Sequence, residues 1–266
     1  MDAMASLARD SVLLVAAVHA APADAEVPAC PGWTADDLGF HVASVQSFWA
    51  SVVGREPGTG LQAGDVVPPE RPAGDAALAA LLHDATAHLV AALAGRDPRE
   101  PCWSWHPDGH TVGWVTRRQQ HEALVHRVDA EQAAGRGVTP LDPEIAADGV
   151  DEVLDVLLGG HPGWTTFTPA GGAVAVVVDA PGEAPRRWDV ELGRVRGTGP
   201  ESGREYDVPG GRLVHPDGEP AAVVAGAAAD LDLWLWGRGT AESLRVTGDA
   251  AAVEALRAAA AADAMQ

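Results

Sequence analysis

The 266-residue sequence contains no lysine and no asparagine, a single isoleucine (Ile145), and two cysteines, Cys30 and Cys102. Without lysine, all 18 basic residues are arginine, set against 38 acidic ones for a formal net charge of -20. Binding to a phosphate backbone draws its affinity from Lys and Arg, so nucleic acid is excluded as a general partner. Two cysteines cannot form a disulfide framework, and a reducing cytoplasm is the expected setting. Lys, Asn and Ile use AT-rich codons, so their scarcity reflects a GC-rich genome more than folding physics. The N-terminal apolar run Ser11–Val18 is far short of the roughly 20 residues that span a bilayer. Asp2, Arg9 and Asp10 precede it in place of the basic start of a secretory signal, so a buried helix and no membrane partner are expected.

What is present reads as globular: 47% hydrophobic and 21% charged residues, long enough for two modest domains or one large one. Apolar periodicity and Pro/Gly breaks predict helices over about 3–20, 34–54, 75–94 and 114–134. Thr34 is the predicted N-cap of the second, with Asp36 and Asp37 favourably placed in its first turn. The stretches 55–75 and 97–113 read as loops. Four amphipathic helices with a long connection suit a four-helix bundle, a fold whose core commonly houses metal sites. Residues 142–158 predict a further helix, a connector.

After Gly159-Gly160 the texture changes. Ala173–Val178 and Arg187–Leu192 read as strands, glycines punctuate the stretch beyond them, and an Ala-rich helix closes the chain over about 249–263. The predicted organisation is an all-α bundle over 1–140, a connector helix over 141–160 and a small α+β domain over 161–266.

Eight of the ten histidines precede residue 127, which places the expected chemistry in the helical half. His121-Glu122 with His126 imitates the H-E-x-x-H zinc-protease motif, but the second histidine falls one residue late. Positions five apart diverge by about 140° around a helix, so His121 and His126 cannot share a metal comfortably. Glu122 and His126, four apart, lie within about 40° of each other and can serve as two ligands. His41, among Leu38, Val45 and other apolar neighbours of the second helix, is the best third candidate. Spacing alone leaves the plainer alternative open, a core histidine and a surface acid–base pair. Asp129, one turn beyond His126, is placed either to orient it or to pair with an arginine.

Three stretches resemble a known family. Cys30-Pro31-Gly32-Trp33-Thr34 with Asp37-Leu38 and His41 is one, and Arg117-Arg118 through His121-Glu122, Val125-His126-Arg127 and Asp129-Ala130-Glu131 to Gly135 is the second. Ala146-Ala147-Asp148-Gly149-Val150-Asp151-Glu152 is the third. They resemble mycothiol-dependent maleylpyruvate isomerase-like proteins of the wider DinB-like bundle superfamily. Ala229-Asp230-Leu231, Leu235-Trp236-Gly237-Arg238 and Gly248-Asp249 resemble that family's sterol-carrier-like second domain.

The resemblance implies that His41, Glu122 and His126 bind a divalent metal, usually zinc. Three protein ligands leave a fourth position open, as catalytic zinc sites do. It also implies mycothiol as the thiol, so no nucleophilic cysteine is needed and Cys30 and Cys102 read as packing residues. The implied reaction is attack of a metal-bound thiolate on a small electrophile, ending in cis–trans isomerisation or in S-transfer. Arg238 is the expected catalytic arginine, and Arg117 and Arg118 are the next cations, expected to bind the cofactor. Trp103, Trp105 and Trp114 read as packing more than as pocket lining. A non-catalytic, metal-stabilised binding protein for small molecules is the alternative from another class.

Overall fold

Proline, glycine and capping side chains set the ends of the helices. In the computed structural model the chain is described over residues 2–55, 63–107, 109–179, 182, 184–200, 202–215 and 218–263. It divides into two compact units, Met1–Thr139 and Pro140–Gln266. Part of the loop expected over 55–75, residues 56–62, lies outside the described residues.

The first unit consists of α1 (Ala3–Ala20), α2 (Ala35–Val53), α3 (Asp75–Leu93) and α4 (Val112–Ala133). Thr34 starts α2 through a capping box: its Oγ1 accepts from the Asp37 amide at 3.2 Å, and Asp37 Oδ2 accepts from the Thr34 amide at 3.0 Å. Such a cap satisfies two otherwise orphaned donors at once. Helix α4 starts two residues earlier than its periodicity suggests, because Thr111 caps it by accepting from the Trp114 amide. One apolar cluster joins Leu7, Trp49, Leu89, Val115 and Ala123, and a second joins Leu14, Leu38, Val42, Leu82 and Ala130. Helices α1 and α3 are long and apolar enough, by length and composition, to cross a membrane, which the short run in α1 alone did not suggest. Here their leucines fill the core of the unit.

A buried ionic tie runs between α1 and α4. Arg127, wholly buried, has its Nε 3.4 Å from Asp10 Oδ1 and donates from Nη1 to the Thr139 carbonyl at 3.0 Å. Glu131 accepts from both the amide and the hydroxyl of Thr139, at 2.9 and 2.6 Å. Breaking one partner of such a pair strands a buried charge, so the tie holds the carboxyl end of α4 in register with α1.

The second unit starts with α5 (Pro143–Asp151), capped by Asp142, and continues into a π-helical turn over Glu152–Leu157. Its strands are β1 (Thr165–Val178), β2 (Arg186–Thr198), β3 (Glu205–Val214), β4 (Ala222–Gly226) and β5 (Arg245–Gly248), with α6 (Ala228–Leu235) and α7 (Ala250–Asp263). The sheet order is β3-β2-β1-β4-β5, antiparallel except for the central β1–β4 pair. Residues Val174–Val176 of β1 are buried between two strand neighbours, which explains their unbroken apolar run. The expected strands are thus found as parts of longer ones. Gly210 and Gly211, read from sequence as punctuation, lie inside β3. A Cβ on Gly211 would stand 2.9 Å from Leu158 and 3.0 Å from Val190, so the glycine permits close packing there and does not end the strand. The architecture is a helical N-terminal part followed by an α+β part, as the sequence predicted.

Candidate metal centre

Two helices of the first unit build the centre. The capped start of α2 places His41 about two turns into the helix, and the Thr111 cap sets the register of α4. His41 Nε2 and His126 Nε2 each lie 3.2 Å from Glu122 Oε1. The two imidazoles meet edge to face with centroids 4.9 Å apart, and ligand atoms of the three residues all fall within 4.8 Å of one another. Ligands about 2.0–2.1 Å from a tetrahedral zinc stand about 3.3 Å apart, so this donor set has the spacing and chemistry of a three-residue metal site. Glu122 and His126 side chains are 12% and 11% exposed, whereas His41 is 34% exposed. The centre is therefore buried on the α4 side and accessible beside His41.

Glu122 and His126 each have a neighbour about one turn away on α4. His126 Nδ1 lies 2.9 Å from Asp129 Oδ2, and Asp129 is fully buried. The Cys30 thiol also donates to that oxygen, at 3.8 Å. On the other side the Arg118 guanidinium pairs with Glu122 Oε2. The Glu122 carboxylate is thus divided, one oxygen toward the histidines and the other toward Arg118.

The electrostatics follow from this chain of contacts. Burial favours the neutral Glu122, but His126 and Arg118 outweigh it and hold the carboxyl well below its usual range. Burial likewise opposes the charged His126, yet Glu122 and Asp129 push it up to about 9. At neutral pH His126 is therefore protonated, with its Nε2 facing Glu122 Oε1.

Profiles of known families cover both units. The mycothiol maleylpyruvate isomerase N-terminal domain matches residues 4–131, and the MDMPI C-terminal domain matches residues 144–255. The chain belongs to the mycothiol maleylpyruvate isomerase family. Its fold is similar to the crystal structure of the mycothiol-dependent maleylpyruvate isomerase, with a TM-score of 0.57, and to that of a histidine-to-alanine variant, with 0.60. Each is 15% identical, with 93% of this chain and 93% of the other covered. No curated protein matches the chain at a significant level.

The other residues singled out from sequence fall in different places. Arg117 follows the helix about 100° around from Arg118, half-buried. Arg238 lies in the second unit, where its guanidinium donates to the Trp236 carbonyl at 2.6 Å and stands 5.9 Å from the Trp236 ring centre. Trp103 and Trp114 pack against Phe48 and Trp49, as expected of packing residues, while Trp105 is 48% exposed beside Trp114. Cys30 is buried, and burial pushes the Cys102 thiol up, away from nucleophilic character. His121 is fully buried and does not join the trio. Sequence reasoning missed the Trp33 ring, 4.8 Å from that of His41, and the bond between Cys30 and Asp129. It also missed that Arg118 pairs with Glu122, although the same four-residue spacing that singled out Glu122 and His126 connects them.

Proposed function

We propose that the chain is a mycothiol-dependent enzyme of the maleylpyruvate isomerase type, with His41, Glu122 and His126 holding a divalent metal, most simply zinc. The observation that carries this reading is the convergence of those three donors in a chain whose two units both match the isomerase family. Zinc held there supplies a Lewis acid that favours the thiolate form of a bound thiol at neutral pH. The chain's own residues organise the reaction. Asp129 accepts from His126 Nδ1 and so directs the Nε2 lone pair into the centre. Glu122 contributes one negative charge, which would leave a net positive centre to attract a thiolate. The exposed side beside His41 gives thiol and electrophile their way in.

Mycothiol bound at the centre would supply a thiolate able to add reversibly to a cis double bond conjugated to a carbonyl, which would allow rotation and release of the trans form with no net redox change. If the adduct is protonated and kept, the outcome is S-transfer; both outcomes share the attack step.

Arg238 is proposed as the cation that meets a substrate carboxylate, and Arg117 as a contact for the thiol cofactor. Arg118, proposed beside it as a cofactor contact, also pairs with Glu122. The enzyme is proposed to work in the cytoplasm, in keeping with its free thiols. The test is to incubate zinc-loaded protein with mycothiol and maleylpyruvate, and separately with mycothiol and a bimane electrophile. Isomerisation above the uncatalysed rate supports the isomerase, and accumulation of the bimane conjugate alone supports the transferase. Neither product above background contradicts the enzyme reading.

A further inference from the structure

We propose that Arg118 is a positioning residue for the centre, one that keeps Glu122 a one-oxygen ligand. The inference rests on reading His41, Glu122 and His126 as a metal site. Glu122 Oε1 faces both histidines at 3.2 Å, while Oε2 is engaged by Arg118, four residues earlier on the same helix. Arg118 is itself buried, 9% exposed, and Glu122 is a carboxylate partner for its charge there. The last torsion of a glutamate side chain is broad and roughly two-fold, so an isolated Glu122 would turn either oxygen, or both, toward a metal. A planar guanidinium on Oε2 removes that freedom.

The consequence is chemical. A carboxylate that chelates with both oxygens occupies two positions, whereas one held by Arg118 occupies one and leaves more of the coordination sphere for incoming ligands. Helix α4 therefore carries two matched pairs: Asp129 fixes His126 from one side, and Arg118 fixes Glu122 from the other. The sequence offered Arg118 as a cation for the cofactor; its pairing with Glu122 gives it a task at the proposed ligand as well.

The test uses the full-length protein and its R118Q and R118K variants, loaded with zinc or cobalt(II). Metal affinity is read by competition with a chromophoric chelator, and coordination by the visible bands of bound cobalt. R118Q is expected to bind zinc about tenfold more weakly. Its cobalt bands are expected to weaken, because the released Oε2 raises the coordination number. R118K keeps the charge without the fork, and both of its readings are expected to fall between those of wild type and R118Q. It decides the matter alone if R118Q does not fold. Wild-type affinity and unchanged cobalt bands in these variants would overturn the proposal. So would unchanged cobalt binding with weakened mycothiol binding, which would make Arg118 a cofactor contact. Failure of the wild-type protein to take up either metal would overturn the metal reading itself, and the proposal with it.

Discussion

His126 Nδ1 lies 2.9 Å from the fully buried Asp129 carboxylate, and its Nε2 lies 3.2 Å from Glu122 Oε1. One imidazole therefore connects an orienting acid to a ligand-type acid, and its two nitrogens have separate tasks. An acceptor on Nδ1 fixes the ring and raises its basicity as a ligand. Asp129→Asn keeps the shape and removes the charge. It is expected to weaken zinc binding by about tenfold, with the far-ultraviolet dichroism unchanged. Chelator competition measures it, and wild-type affinity would remove Asp129 from the site.

At the proposed metal centre, protons would compete with the metal. Without metal, Glu122 and Asp129 overcome the burial of His126 and push it up to about 9 from 6.5. Zinc must displace that proton, so affinity is expected to rise from pH 6.5 to 9 and to flatten above. The sign for stability is opposite. A histidine whose folded value is raised stabilises fully below 6.5 and loses that contribution as pH rises through about 9. The thermal midpoint of the chelator-treated protein should therefore fall across this window, and His126→Gln should flatten the fall.

Helix α2 depends on its first turn. Thr34→Ala removes the N-cap acceptor and is expected to cost about 1 kcal/mol, read by urea denaturation of the metal-free protein. Asp37 is held at about 2, chiefly by the Thr34 amide and by Arg71. A carboxylate with a depressed value stabilises above its unfolded value of 3.8 and loses that contribution as pH falls through about 2. Acid unfolding should accordingly become less steep in Asp37→Asn. Because the cap lies two turns before His41, Thr34→Ala should also weaken zinc binding.

In the second unit, Gly149 of α5 stands against Asp232 of α6. A Cβ at Gly149 would lie 2.5 Å from Asp232 Oδ1, in a region where Asp232 is fully buried. Gly149→Ala is expected to cost about 1–3 kcal/mol through this overpacking. Denaturation followed by tryptophan fluorescence reports it, and an unchanged midpoint would contradict the close approach.

How much of this was legible beforehand depends on the range of the interactions. Helices α1 to α4 were readable because caps such as Thr34 and apolar spacing such as Leu78, Leu82 and Leu89 act within a few residues. The pairing of Glu122 with His126 was readable for the same reason, being one turn of one helix. Whether His41 joined them was open from spacing, because α2 and α4 meet only through the packing of the bundle. The strands β3, β4 and β5 and helix α6 were not readable as elements. Gly210 and Gly211 suggest a turn until Leu158 and Val190, distant in sequence, require small residues at that point. Arg118 was seen as a charge, but its pairing with Glu122, one turn away on the same helix, was not drawn from the spacing.

The proposed chemistry depends on one divalent metal held by His41, Glu122 and His126. Elemental analysis of the protein purified without chelator, beside His126→Ala, tests that dependence at its root. About one zinc per chain is expected in the wild-type protein, with most of it lost in the variant and the helical signal retained. Wild-type protein without metal, or a variant that keeps its full complement, would contradict it.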